Sequence, residues 1–315
     1  MGGFILRVLL LLFLPLLCSA EQEKDTSPIR VIENDWTSQI VLSRITGMIF
    51  IHQGYKVRYV QASSSEQWGA LALGIDHVQV EVWQGTMELM FNRMVSANRI
   101  LDAGTHSALT REDWWYPGYV EELCPGLPDW RALKRCAKVF ATEKTNGKGR
   151  YVAGPWEKPE AARIRALELD FIVDQVQTAD DLWRELAKAQ SQNKAIVLFN
   201  WTPNWVEDRY DGKFIEFPAY EPECETDPKW GVNPLYHYDC GNPSGGWLKK
   251  AAWSGMPKKW NCAYRTLKNV NFDNATIAQL SARVDVDKLT HEQAAEEWYE
   301  ANRTKWESWI PDDCH

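Results

Sequence analysis

Beyond its first 20 residues the sequence has no apolar run that approaches the roughly 20 residues a bilayer-spanning helix needs, so the mature chain is expected to be soluble. Basic charge is in short supply. Against 43 Asp and Glu stand 35 Lys and Arg, a net charge of −8, which argues against nucleic acid or an anionic membrane as partner. The 6 His are scattered, with none at an HExxH spacing. In "NPSGGW" Asn242 stands where a nucleophile elbow needs glycine. No glycine loop of the phosphate-cradling kind occurs, and the run Val284–Lys288 lacks the glycine and terminal Glu of a calcium loop. Carboxylates are plentiful, but no pair separates itself as acid and base. These absences weigh against an enzyme and imply neither cofactor nor metal. Internal repeats and low-complexity linkers are also missing.

What is present begins with "MGGFILRVLLLLFLPLLCSAEQEK": one Arg, an apolar run from Val8 to Leu17, and small residues around a cut after Ala20. This is the layout of a secretory signal at 1–20, which places the mature protein outside the cytoplasm, secreted or periplasmic. Bulky Leu17 argues against Cys18 as a lipid-modified residue. Losing this leader removes one positive charge and leaves six cysteines, an even number that in an exported chain favours disulfides. Many pairings are possible; proximity suggests Cys124–Cys136 and Cys224–Cys240, leaving Cys262 with Cys314. Sequons at Asn200, Asn274 and Asn302 would matter only in a eukaryotic secretory pathway.

From Ile29 onward strand-like and helical patterns alternate. "IRVIEN", "YKVRYV" and "HVQVEVW" read as strands; residues 36–54 read as a helix stopped at Gly54, and "SSEQWGALALG" as a short helix closed by Gly74. This alternation predicts the α/β class with a mainly parallel sheet. Residues 104–154 read as loop-rich. A helix in "PEAARIRALEL", the segment "DFIVDQV", a helix in "TADDLWRELAKAQSQ" and the strand "AIVLFN" follow. Residues 218–262, rich in Pro, Gly, Asn and Cys, read as an irregular disulfide-held excursion, and the tail from Thr290 as one helix. Thr178 with Asp181, and Thr290 with Gln293, have capping-box spacing. About 295 mature residues suit two compact lobes.

The unusual feature is 17 Trp against 10 Phe. Several of these rings stand where a core residue would not be needed. Trp83 shares a strand face with Gln79 and Glu81, opposite the valines Val78, Val80 and Val82, and ends its strand. Trp201 ends "AIVLFN", Trp36 follows the first strand and precedes a helix, and Trp156 precedes the helix of "PEAARIRALEL". Carboxyl ends of strands face the ligand crevice in open α/β sheets. Four indoles gathered there could form a cage for an organic cation, each face contributing about 0.5–2 kcal/mol. Micromolar binding needs about 8 kcal/mol, so closure of the lobes must add contacts. Trp68, Trp183, Trp298, Trp306 and Trp309 have helical spacing and read as packing, as any single Trp near a strand end usually does.

The stretches "ENDWTSQ", "GYKV", "ALALGIDHVQVEVW", "DWWYPGYV", "GLPDW", "GPW", "VLFNWTPNWV" and "YEPECETDPKWGVNP", in that order through nearly the whole mature chain, resemble the glycine betaine-type substrate-binding proteins of ATP-binding-cassette importers. The resemblance implies a two-lobed, type II periplasmic-binding fold that closes on a quaternary or tertiary ammonium compound. It implies lobe I from 27–118 and 203–315, lobe II from 119–202, and a monomer that delivers its ligand to an importer's permease. Trp83, Trp156 and Trp201 match the family's tryptophan box, Trp36 adds a wall, and Trp115 and Tyr116 match a segment near the site. The family's betaine binders hold the ligand carboxylate with backbone N–H groups after the middle Trp. Here Glu157, Lys158 and Pro159 follow Trp156, so choline and trimethylamine N-oxide compete with glycine betaine as ligand. Lys158 could attract a carboxylate, and Glu112 or Asp113 could serve as a polar partner. Two rival readings are a secreted enzyme acting on a trimethylammonium compound and a secreted protein that uses its tryptophans at an interface; a free-standing binder without an importer is a variant of the binding-protein reading.

Overall fold

Alternating apolar runs place β1 at Ile29–Glu33, β2 at Val57–Gln61 and β3 at Val78–Trp83 in a computed structural model that describes residues 27–156 and 158–314. The leader expected at 1–20, with Cys18, and Glu157 lie outside the described residues. Further strands are β4 (Ile100–Pro117), β5 (Gly149–Ala153), β6 (Phe171–Gln175), β7 (Val197–Thr202), β8 (Gly212–Phe214) and β9 (Ser244–Trp253). They form one sheet in the order β2-β1-β3-β9-β4-β7-β5-β6, with β8 paired to β4. Helices α1 (Thr37–His52), α2 (Gln67–Leu73) and α3 (Gln84–Ser96) connect the first four strands. Gly74 closes α2 in the left-handed conformation, φ 67°, as its position in the sequence predicts. The architecture is α/β, two-lobed, with helices flanking the sheet.

The sheet is less parallel than its sequence suggests. β1 pairs in parallel with β2 and β3, and β5 with β6 and β7, but the centre, where β9 meets β3 and β4 and where β4 meets β7 and β8, is antiparallel. Two strands there replace expected loops. Strand β4 occupies the stretch expected to be loop-rich: along Thr105–Arg111 the buried positions are His106, Ala108 and Thr110 while Leu109 points outward, so the alternation is real but not hydrophobic. Strand β9 runs through the end of the supposed excursion, and its Lys250 is fully buried, with Nζ donating to the carbonyls of Lys268 and Val270. One half of β4, Ile100–Arg111, pairs with β9, and the other, from Arg111 to Pro117, with β7 and β8.

The two disulfides suggested by proximity, Cys124–Cys136 and Cys224–Cys240, are present, as is the remaining pair Cys262–Cys314. Both capping boxes form, Thr178 with Asp181 and Thr290 with Gln293. The terminal segment is two helices, not one. His291–Ala301 stops at Asn302, which begins Arg303–Glu307, and the break lets the Trp306 N–H reach the Tyr299 carbonyl at 2.8 Å. Trp68, Trp306 and Trp309 are buried, as packing residues should be, and Asn200 is wholly inaccessible.

Candidate functional site

Trp36 and Trp83 are each the last extended residue before a helix, with φ/ψ of −125/148° ahead of α1 and −88/130° ahead of α3. Neither caps its helix through a side-chain hydrogen bond. Both indoles instead donate to one buried carboxylate oxygen, Glu81 Oε2, at 2.7 Å from Trp36 Nε1 and 3.0 Å from Trp83 Nε1; Ser38 Oγ donates to the same atom at 3.1 Å. Burial pushes the Glu81 carboxyl up to about 7, against the lowering effect of these three hydrogen bonds. The shared face of Glu81 and Trp83 that strand alternation predicts is thus a contact, although β3 is buried on both faces.

Trp156 lies in the loop after β5, and its Nε1 donates to Asp35 Oδ1 at 3.2 Å, across the cleft beside Trp36. Its ring stands edge-on to Trp36 (centroids 6.2 Å, 86°) and to Trp201 (5.2 Å, 87°) and leans on Phe199 (5.6 Å). Trp201 is backed by Trp183 at 5.2 Å, so Trp183 serves as the wall behind a site residue besides packing its helix. The approach of Trp156 depends on Gly154, where an added Cβ would fall 2.6 Å from the indole. Gly154→Ala is therefore expected to displace the ring and weaken ligand binding by about tenfold, since ~1.4 kcal/mol corresponds to a factor of ten. Titration of the folded variant checks this, and wild-type affinity would contradict it.

Trp36, Trp83, Trp156 and Trp201 line one pocket together with Thr86, Met87, Glu112 and Phe199. It encloses about 310 Å³, part of it open to solvent. Four indoles around one space supply the ring surface that can host a methylated ammonium group. Trp115 and Tyr116 are not part of this lining. Both are fully buried in β4; Trp115 fits against Gly212, where any Cβ would strike its ring, and the Tyr116 hydroxyl donates to Glu121 at 3.0 Å. Strand β4 contributes Glu112 to the lining, three positions before Trp115.

Of the two carboxylates weighed from sequence, Glu112 lines the pocket and Asp113 does not. Asp113 accepts from buried Arg163 at 2.9 Å. Glu112 Oε1 accepts from Lys158 Nζ at 3.0 Å and from the Thr86 hydroxyl in the first turn of α3, while its Oε2 is buried without a partner. Lys158, a possible counter-charge for a ligand carboxylate, is thereby already paired, with only 6% of its side chain exposed. Sequence reasoning missed Glu81, Thr86, Met87 and Phe199. Glu81 had a signal, its place two residues before Trp83 on the same face; the others show none. Among the described residues no group of His, Cys, Asp or Glu is arranged to hold a metal ion.

The chain matches the family described as the substrate binding domain of ABC-type glycine betaine transport systems over residues 27–301. It is 39% identical, over 89% of its own length and 89% of the relative's, to the trimethylamine N-oxide-binding protein of Pelagibacter ubique strain HTCC1062. The fold is shared with the glycine betaine/L-proline-binding protein ProX of Borrelia burgdorferi (TM-score 0.72, 16% identity, 91% of this chain and 98% of that one). It is also shared with an ABC-transporter choline-binding protein in complex with choline (TM-score 0.70, 15% identity, 91% and 93%). These relatives are binding proteins rather than enzymes, and the family acts outside the cytoplasm on small cationic ligands for an ABC transporter. The chain belongs to the substrate-binding proteins of ABC-type glycine betaine transport systems.

Proposed function

We propose that the protein captures trimethylamine N-oxide for uptake, holding the methylated nitrogen among Trp36, Trp83, Trp156 and Trp201. The observation that carries this reading is that Glu112, which lines the four-tryptophan pocket, is paired with Lys158. A ligand carboxylate would set a second full negative charge and two acceptor oxygens beside Glu112, with Lys158 shared between them, which counts against glycine betaine. A single oxide oxygen needs less. It can accept from an N–H of Lys158 Nζ that is not spent on Glu112, and the first turn of α3 adds partial positive charge. The named ligand of the Pelagibacter ubique relative supports the same reading.

Choline is the second reading, favoured by the unpartnered Glu112 Oε2, which could accept from its hydroxyl. In either case the protein acts as a monomer serving a permease, and catalysis has no role. The lobes are taken as residues 27–118 with 203–315 and residues 119–202; β4 runs between them, pairing with β7 of the second and with β8 and β9 of the first. Isothermal titration against trimethylamine N-oxide, choline, glycine betaine and carnitine tests the assignment. Trimethylamine N-oxide is expected to bind at least about tenfold tighter than glycine betaine, a difference of ~1.4 kcal/mol. Choline as the tightest ligand would select the second reading, and glycine betaine as the tightest would overturn both.

A further inference from the structure

We propose that Glu81 is the positioning residue of the tryptophan cage: one of its carboxylate oxygens fixes the indoles of Trp36 and Trp83, and its charge makes both rings stronger hosts for a methylated ammonium group. This rests on the cage reading above and deepens it. A single atom, Oε2, accepts Trp36 Nε1, Trp83 Nε1 and Ser38 Oγ, so two rings from separate helix starts share one anchor. Hydrogen bonds to an ionised acceptor are about twice as strong as neutral ones, and they withdraw positive charge from the indole edge, which leaves the ring face more negative. The anchor itself is held rigidly. The Glu81 backbone N–H donates to Gln79 Oε1 at 3.0 Å, and Gln79 is locked among Gln39, Asn34 and Gln67 in a buried amide network.

No ion pair explains the residue. Glu81 is wholly buried, its Oε1 has no hydrogen-bond partner, and what acts on its proton besides burial is the same three donors. Charged groups on the surrounding elements are engaged elsewhere. Glu33 of β1 pairs with Arg44 of α1, Lys249 of β9 with Asp102, and Lys250 of β9 with backbone carbonyls. Glu88 of α3 accepts from Gln84, Glu112 of β4 pairs with Lys158, and Asp285 accepts from Thr37, the first residue of α1. The His106 ring of β4 bonds the Val80 carbonyl, and burial drives its protonation down to about 3. A fold built only for stability would place an apolar or amide side chain here. A carboxylate that resists ionisation, set behind two site tryptophans, has a use in binding.

The sign of the pH effect follows. Because burial raises the folded-state value to about 7, the ionised form costs stability that the protonated form does not, and stability falls as pH rises from the unfolded value through about 7. Ligand affinity should move the opposite way, rising as Glu81 ionises. The test is isothermal titration of the full chain with trimethylamine N-oxide, which stays zwitterionic between about pH 6 and about pH 8.5, on wild type, Glu81→Gln and Trp83→Ala, with thermal melts alongside.

Glu81→Gln keeps the shape and an acceptor oxygen but loses the charge. It is expected to melt no lower than wild type at about pH 8.5 and yet to bind at least about fivefold more weakly. Wild type is expected to lose a similar factor on going to about pH 6, where Glu81→Gln shows no change. Glu81→Gln with wild-type affinity, or with the wild-type pH slope, while Trp83→Ala abolishes binding, would overturn the proposal and leave the cage standing. Unchanged affinity in Trp83→Ala would overturn the cage and the role of Glu81 together.

Discussion

Trp201→Ala and Trp83→Ala are each expected to weaken ligand binding by at least about tenfold while the far-ultraviolet circular dichroism stays that of wild type. A lost ring face alone accounts for roughly 0.5–2 kcal/mol, and about 1.4 kcal/mol is tenfold. Trp201 should have the larger effect. Its ring lies 5.2 Å from Trp156 and from Trp183, so its removal frees Trp156, which stands in a loop, and admits water through the gap. Trp36 and Trp83 share the Glu81 oxygen, so their double substitution should cost less than the sum of the two, the signature of residues that act as a unit. Fluorescence titration measures both. Equal affinities across wild type and single variants would place the ligand elsewhere.

Arg163→Met is expected to lower stability by about 3–5 kcal/mol at neutral pH, the range for removing one partner of a buried charge cluster. The guanidinium is 2% exposed and donates to Asp113 at 2.9 Å, Glu160 at 3.2 Å and Asn242 at 2.8 Å, and it lies over the Phe217 ring at 4.9 Å. Without it two carboxylates are left buried, and Glu160 retains only the Trp114 N–H. The damage should reach the site. Glu160 and Arg163 lie on the helix Glu160–Ala166, directly after the loop that carries Trp156, and Asp113 adjoins Glu112 in β4. Urea unfolding of wild type and variant gives the number. A midpoint within error of wild type would show that the cluster contributes nothing.

Where local chemistry sets the structure, the sequence was readable. Strand β1, helix α1, the Gly74 stop, the two capping boxes and the nearest-neighbour disulfides all follow from residues close together in the chain. Strands β4 and β9 were hidden because their neighbours across the sheet decide their burial. His106, Thr110 and Lys250 go inside by finding hydrogen-bond partners or packing that no local pattern reveals. The same holds at the site. Four strand-end tryptophans could be picked out because their position was odd, and the structure gathers all four around one pocket. Trp115 and Tyr116 were candidates by neighbourhood in a motif, yet the pairing of β4 with β7 and β8 turns them into core. Glu112, from the same strand, reaches the pocket because it lies on the segment facing Thr86 and Lys158.

A crystal structure of the protein with trimethylamine N-oxide bound tests the central claim most directly. The account predicts the ligand nitrogen within about 6 Å of the ring centroids of Trp36, Trp83, Trp156 and Trp201, with its oxygen toward Lys158. Electron density for the ligand outside that pocket, or rings that turn their edges to the nitrogen while an acidic side chain alone contacts it, would contradict it.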